Sequence, residues 1–279
     1  MIPKVITKIE INDKFGTDCT NDDYCSQSVL KKFLDEKYNQ FNCLNFIEVD
    51  PISIPHQFSR KEDIEIAGFL SATIAWGQRP TIIRNANKLI RLMDGEPYEF
   101  LTRTAIEDPE RFESFVHRTF NGTDCFYFMN ALSSIYREHG GLEKLFKDGF
   151  SIDGTVKTAI IHFRERFLSF DPQHRTEKHI ANPDKGSSAK RINMFLRWMI
   201  RPSISGVDFG LWNSIPASAL MMPLDVHSGS VARKLGLLQR TQNDWHAVEE
   251  LTANLRIFDS SDPVKYDFAL FGLGAFEKF

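Results

Sequence analysis

Two residues in this chain are of types that could do chemistry together. Lys190 opens a helix-like run, and Asp225 stands in the stretch Met222-Pro223-Leu224-Asp225-Val226-His227. A lysine amine must be neutral to attack carbon, and the positive end of a helix disfavours its ammonium form. A carboxylate beside it can stabilise developing positive charge and help move protons. Asp225 equally fits a helix N-cap or a salt-bridge partner for Arg233 or Lys190. Asp225-x-His227 is too common a spacing to define a metal site, and no His-Glu-x-x-His run accompanies it. No metal and no cofactor is therefore expected.

Two helices would have to position these residues. The spacing predicts one over Ser187–Arg201 and another over Val231–Leu238. On the first, Lys190, Asn193, Arg197 and Arg201 fall on one side, opposite a stripe of Ile192, Phe195, Leu196 and Met199. No acidic residue interrupts positions 187–202. Such a face is most often simply solvated. The sharper alternative is a phosphate-facing surface, in which the free amides and positive dipole at the helix start, preceded by Gly186 and Ser188, are extended by the arginines.

The rest of the chain reads as helices packed around one core. Ser59 and Glu62 have the spacing of a capping box, starting a helix with Ile64, Ile66, Phe69, Leu70 and Ile74 apolar on more than one side. It ends at Trp76-Gly77, and Pro80 then opens a helix that stops at Gly95, making an αα-hairpin. Further stripes follow around Phe128–Tyr136, Val156–Phe167 and Trp245–Phe258, and a last helix opens at Asp262-Pro263. The one strand-like alternation is Val5–Ile11. The class is all-α: a multi-helix, two-lobed bundle in a single globular unit over residues 1–279. The polar stretch 169–188 is the expected lobe boundary, and 186–279 the lobe that carries the candidate site.

The totals exclude several function classes. No apolar run approaches the roughly 20 residues needed to cross a bilayer, and the first residues lack a secretory pattern, so no membrane association and a cytoplasmic location are expected. The four cysteines never stand two residues apart, so they read as free thiols. A net charge of −3 gives no global attraction for nucleic acid. DNA, if it is the partner, would be held weakly and in a salt-dependent way by the local patch. The 24 phenylalanines imply a large aromatic core.

Several of these stretches resemble a known superfamily. Gly186-Ser-Ser-Ala-Lys190-Arg-Ile-Asn-Met-Phe-Leu196, Pro223-Leu-Asp225-Val-His227, Arg233-Lys-Leu-Gly-Leu237 and Tyr266-Asp-Phe-Ala-Leu-Phe-Gly-Leu-Gly274 are similar to the helix-hairpin-helix DNA glycosylases, the superfamily of endonuclease III. Phe69-Leu-Ser-Ala72 resembles a run in that superfamily's buried helix. Over its full length the chain looks closer still to a bacterial family of conserved hypothetical proteins. The superfamily resemblance implies a DNA-repair glycosylase, with Lys190 on the hairpin nucleophile of members that also have lyase activity and Asp225 on the catalytic aspartate. Together with the phosphate-facing reading of the helix, this gives DNA contacts expected from Gly186, Ser188, Asn193, Arg197 and Arg201. Ser188 stands where the hairpin's second glycine is usual, and Ser230 where an arginine is usual. No cysteine cluster is present to hold an iron–sulfur cluster. A non-catalytic module that binds nucleic acid or protein on the same scaffold is the alternative.

Overall fold

The computed structural model describes residues 22–103, 108–170 and 174–279, so the strand-like pattern at 5–11 lies outside the described residues. The class is all-α. Thirteen α-helices occur among the described residues, with one two-stranded antiparallel ribbon pairing Val116 with Asn121 and His117 with Phe120. The helices are α1 (Asp22–Phe41), α2 (Leu44–Glu48), α3 (Lys61–Thr73), α4 (Arg79–Leu92), α5 (Pro97–Arg103), α6 (Glu110–Glu113) and α7 (Gly122–Glu138). After these come α8 (Leu142–Asp153), α9 (Val156–Leu168), α10 (Lys190–Ile200), α11 (Val226–Lys234), α12 (Trp245–Phe258) and α13 (Tyr266–Ala275). None is long and apolar enough to cross a membrane.

Helix α3 is apolar on more than one side because it is surrounded: every residue from Ile64 to Thr73 is buried. It packs on α10, where the absent side chain of Gly68 lets Met199 and Phe195 approach. Phe69 then meets the rings of Phe128, Phe163, Phe167 and Phe195 at 5.4–6.0 Å between centroids, which is where much of the phenylalanine content goes. Phe69, Leu70, Phe195, Leu196, Met199 and Leu235 are all buried, as their helical spacing predicts. One polar side chain is enclosed with them. The Glu65 carboxylate accepts from Tyr136 Oη and Trp212 Nε1, both at 2.7 Å, so neutral donors satisfy a group that burial would otherwise penalise.

The start of α3 differs from expectation. Arg60 is the N-cap and no side chain caps it; Glu62 pairs with Arg60 at 3.2 Å, so the Ser59–Glu62 box does not form. Capping boxes occur at Asn121–Asp124, opening α7, and at Asp225–Ser228, opening α11. The Pro80 start of α4 and the left-handed Gly95 beyond its end agree with the sequence. Helices α8 and α9 form a tight pair, and α13 is wedged between α1 and α11. Residues 174–188 contain short 3₁₀ turns tied back by Arg164–Glu177 at 2.9 Å and Arg175–Asp124 at 2.5 Å. Cys43 and Cys125 are free thiols; Cys19 lies outside the described residues.

Candidate active site

The segment before α10 is a tight turn. Gly186 adopts φ +85°, a conformation suited to glycine, and its carbonyl accepts from the Trp245 amide at 3.0 Å while Ser187 bridges to Asp244. The turn is thereby docked on the start of α12. Ala189 follows at φ 47°, left-handed without being glycine, and it is buried. That conformation costs about 1–2 kcal/mol, and such strain clusters at functional sites. Its consequence is local: α10 begins at Lys190, with Ser188 and Lys190 facing the same cleft.

Asp225 reaches that cleft from the other chain segment. Its Oδ1 accepts from the Ser228 amide at 2.9 Å and lies 3.2 Å from the Ser228 hydroxyl, closing the capping box of α11. Asn243 Nδ2 holds the Asp225 carbonyl at 3.1 Å. Asp225 Oδ2 is left to face Lys190, whose Nζ stands 3.9 Å away and 3.5 Å from Met194 Sδ. Asp225 is therefore both a cap and a partner of Lys190. Arg233 is no partner of it; that guanidinium goes to the Arg240 carbonyl and Asn243 Oδ1. His227 is exposed at the rim.

The cleft these residues border has a volume of about 550 Å³, within the ~300–1,000 Å³ of small-molecule sites. Its walls include Phe46, Trp76, Ile82 and Phe271, and its polar lining adds Asp50, Arg79, Arg191, Arg197 and Asp267 to Lys190 and Asp225. Trp76 is fixed from three sides: His117 meets its ring edge-on at 4.9 Å, His179 stacks at 6.1 Å, and the Arg191 guanidinium lies over it at 4.7 Å. Burial draws Arg191 down to about 10, since its hydrogen bonds go to the Thr73 and His179 carbonyls and no carboxylate among the described residues pairs with it. Burial pushes the Asp267 carboxyl up to about 6 against the pull of Arg197, with the Asp225 charge adding to the rise. Burial likewise raises Asp50, opposed by the Ile52 amide and by Arg197, Lys190 and Arg79 at longer range. Among the described residues no three His, Cys, Asp or Glu side chains converge to hold a metal ion.

The polar face of α10 needs correction. Arg197 and Arg201 are only 3% and 1% exposed, and Asn193 is 1% exposed. Arg197 donates to Asp208 at 3.2 Å and to Asp267; Arg201 donates to Asp208 at 2.9 Å, Asp262 at 2.8 Å and Tyr38 Oη at 2.7 Å. Asn193 Nδ2 donates to the Ser188 carbonyl at 3.1 Å and holds the turn from below. None of the three lies on a solvent-facing footprint; the positive charges are there to meet buried carboxylates. Gly186 remains exposed and Ser188 half-buried at the cleft. Trp198 and Trp212 are core residues, and the aromatic cleft walls come instead from Phe46, Trp76 and Phe271. Asp50, extended as a residue before proline should be, caps the 3₁₀ turn Pro51–Ser53.

These features define an all-helical protein with a charged, aromatic-walled cleft. The chain belongs to the family described as a protein of unknown function, DUF2400, which matches residues 50–276 and so takes in the cleft residues from Asp50 to Phe271. No curated protein and no solved structure matches the chain.

Proposed function

We propose that the cleft is a base-excision site of the helix-hairpin-helix glycosylase type, acting on a nucleotide turned out of DNA. The observation that carries this reading is the approach of Lys190 Nζ to Asp225 Oδ2, 3.9 Å apart on the wall of an open cleft. In this scheme Lys190 attacks the sugar C1′ while Asp225 offsets the positive charge that develops as the base leaves. Phe46, Trp76 and Phe271 give the cleft an aromatic, apolar wall of the kind that receives a flipped base. The strained Ala189 supports the reading too, because it fixes the turn before the lysine. With Asn193, Arg197 and Arg201 buried, phosphate contact falls to the exposed Lys185–Ser187 turn and to Arg118, which lies against Gly77 at the cleft edge. So thin a footprint implies weak, salt-sensitive binding.

The experiment is borohydride trapping on duplexes carrying abasic, oxidised, alkylated or deaminated sites. A covalent complex that is lost in Lys190→Ala identifies the amine as nucleophile. Asp225→Asn should slow base release while sparing binding. Folded protein that neither traps nor releases any base from this panel would leave the non-catalytic binding module as the better reading.

A further inference from the structure

We propose that Asp50 is the acid that hands a proton to the departing base. This rests on the base-excision reading and assigns a residue to a step that Lys190 and Asp225 leave unserved. Asp50 is 7% exposed, yet it lines the cleft. Its Oδ1 caps the 3₁₀ turn Pro51–Ser53 by accepting from the Ile52 amide at 3.1 Å. Among the described residues its Oδ2 receives no hydrogen bond, and no lysine, arginine or histidine forms an ion pair with it. A buried carboxyl that lines a cleft and has one oxygen unengaged among the described residues is placed to give a proton to a ligand there.

The other two acids of the cleft are differently committed. Asp225 receives the Ser228 hydrogen bonds and faces the Lys190 amine, an arrangement that suits a carboxylate opposing positive charge. Asp267 is held by the Arg197 guanidinium. Only Asp50 combines burial, a free oxygen and the absence of a paired cation, and its upward shift from burial points the same way. Two carboxyl groups in unlike surroundings, one suited to the proton and one to the charge, make the usual division between acid and stabiliser.

The step balances without further reagents. The Lys190 nitrogen pair forms the bond to C1′ as the C1′–N bond breaks, and that bonding pair leaves with the base. The base takes the Asp50 proton on a ring nitrogen or exocyclic oxygen. The ammonium formed on Nζ passes a proton to Asp225, and solvent returns one to Asp50. A base that carries a positive charge before it leaves needs no such proton, and this sets the test.

Single-turnover base release is measured with the full-length protein on two duplexes, one bearing a neutral base the protein releases and one a cationic N7-alkylated purine. Asp50→Asn should lose about 10²–10⁴-fold on the neutral base, the usual weight of general acid catalysis. On the cationic base it should lose less than about threefold, because that leaving group needs no proton. Asparagine and serine both cap turns, so Asp50→Asn and Asp50→Ser should keep the fold, checked by melting temperature. Equal losses on both substrates, or no loss on either, would overturn the assignment while leaving base excision standing. Failure of the wild-type protein to release either base would overturn the excision reading and the assignment with it.

Discussion

Replacing Asp208 by Asn tests whether the buried charges under the cleft hold it together. Asp208 is 1% exposed and accepts from two arginines at once, Arg197 Nε at 3.2 Å and Arg201 Nη1 at 2.9 Å. The amide keeps the shape but brings N–H groups and no charge to two guanidinium donors. Hydrogen bonds to charged groups contribute about 1.5–3 kcal/mol each, and breaking a buried ion pair costs about 3–5 kcal/mol. Each arginine keeps another carboxylate, Asp267 for Arg197 and Asp262 for Arg201, so the lower end, about 3 kcal/mol, is expected. At about 2–4 °C per kcal/mol for a chain of this size, the melting temperature should fall by roughly 6–12 °C. Thermal and urea unfolding followed by circular dichroism would read this. The shift should persist at about 1 M salt, because the pairs are shielded from ions. A variant melting within about 1 °C of the parent would refute the idea that this network supports the fold.

Three other outcomes follow from the same geometry. Asp225→Asn should change stability by less than about 0.5 kcal/mol, while Asp225→Ala should cost about 0.5–2 kcal/mol, since asparagine caps a helix as well as aspartate does; equal losses in urea unfolding would mean that the cap does not matter. Gly272→Ala should cost about 1–3 kcal/mol, because the added methyl would overlap the Phe41 ring where α13 meets α1, and hydrogen exchange in α1 should quicken. Asp124 supplies the pH dependence: burial alone would raise its carboxyl, but His179, Arg175 and the Asn121 amide outweigh it and hold it well below the usual range. A depressed carboxyl adds stability above its unfolded value, about 3.9, and loses it as pH falls toward the folded value. Asp124→Asn should therefore destabilise at pH 7 by about 1.5–3 kcal/mol and flatten the acid limb of the stability profile; an unchanged limb would argue against it.

What the sequence disclosed depended on how far away the partners lay. The buried faces of α3 and α10 were legible, because Phe69, Leu70, Phe195, Leu196 and Met199 recur at the helical period and burial follows that period. The meaning of Arg197 and Arg201 was not. A row of basic residues on one helix face looks solvated until Asp208, Asp262 and Asp267 are brought in from 7 to 70 residues away. The Ser59–Glu62 signal lost to a nearer competitor, since Arg60 takes the Glu62 carboxylate. At the candidate site, the closeness of Lys190 and Asp225 was implied by the superfamily resemblance and not by a local pattern, since the helix expected over Val231–Leu238 runs instead from Val226 to Lys234 with Asp225 as its cap. The remaining walls could not be anticipated, because Phe46 stands in a five-residue helix and Asp50 and Trp76 in turns, all too short to show a repeating pattern.

The contact between α1 and α13 bears on when such a cleft can exist. Tyr266 of α13 meets Asp35 of α1 at 3.0 Å, and just beyond α13 Glu277 meets Lys37 at 2.5 Å, pairs separated by 231 and 240 residues. Closing loops of that length earns nothing until both ends have arrived, so such contacts form late, after local units such as α8 with α9. Helix α13 also brings Asp267 and Phe271 to the cleft. A chain with its local helices already paired but this closure unmade would have much of the core and no enclosed site, so any ligand of the cleft would bind only after the slowest part of folding is complete.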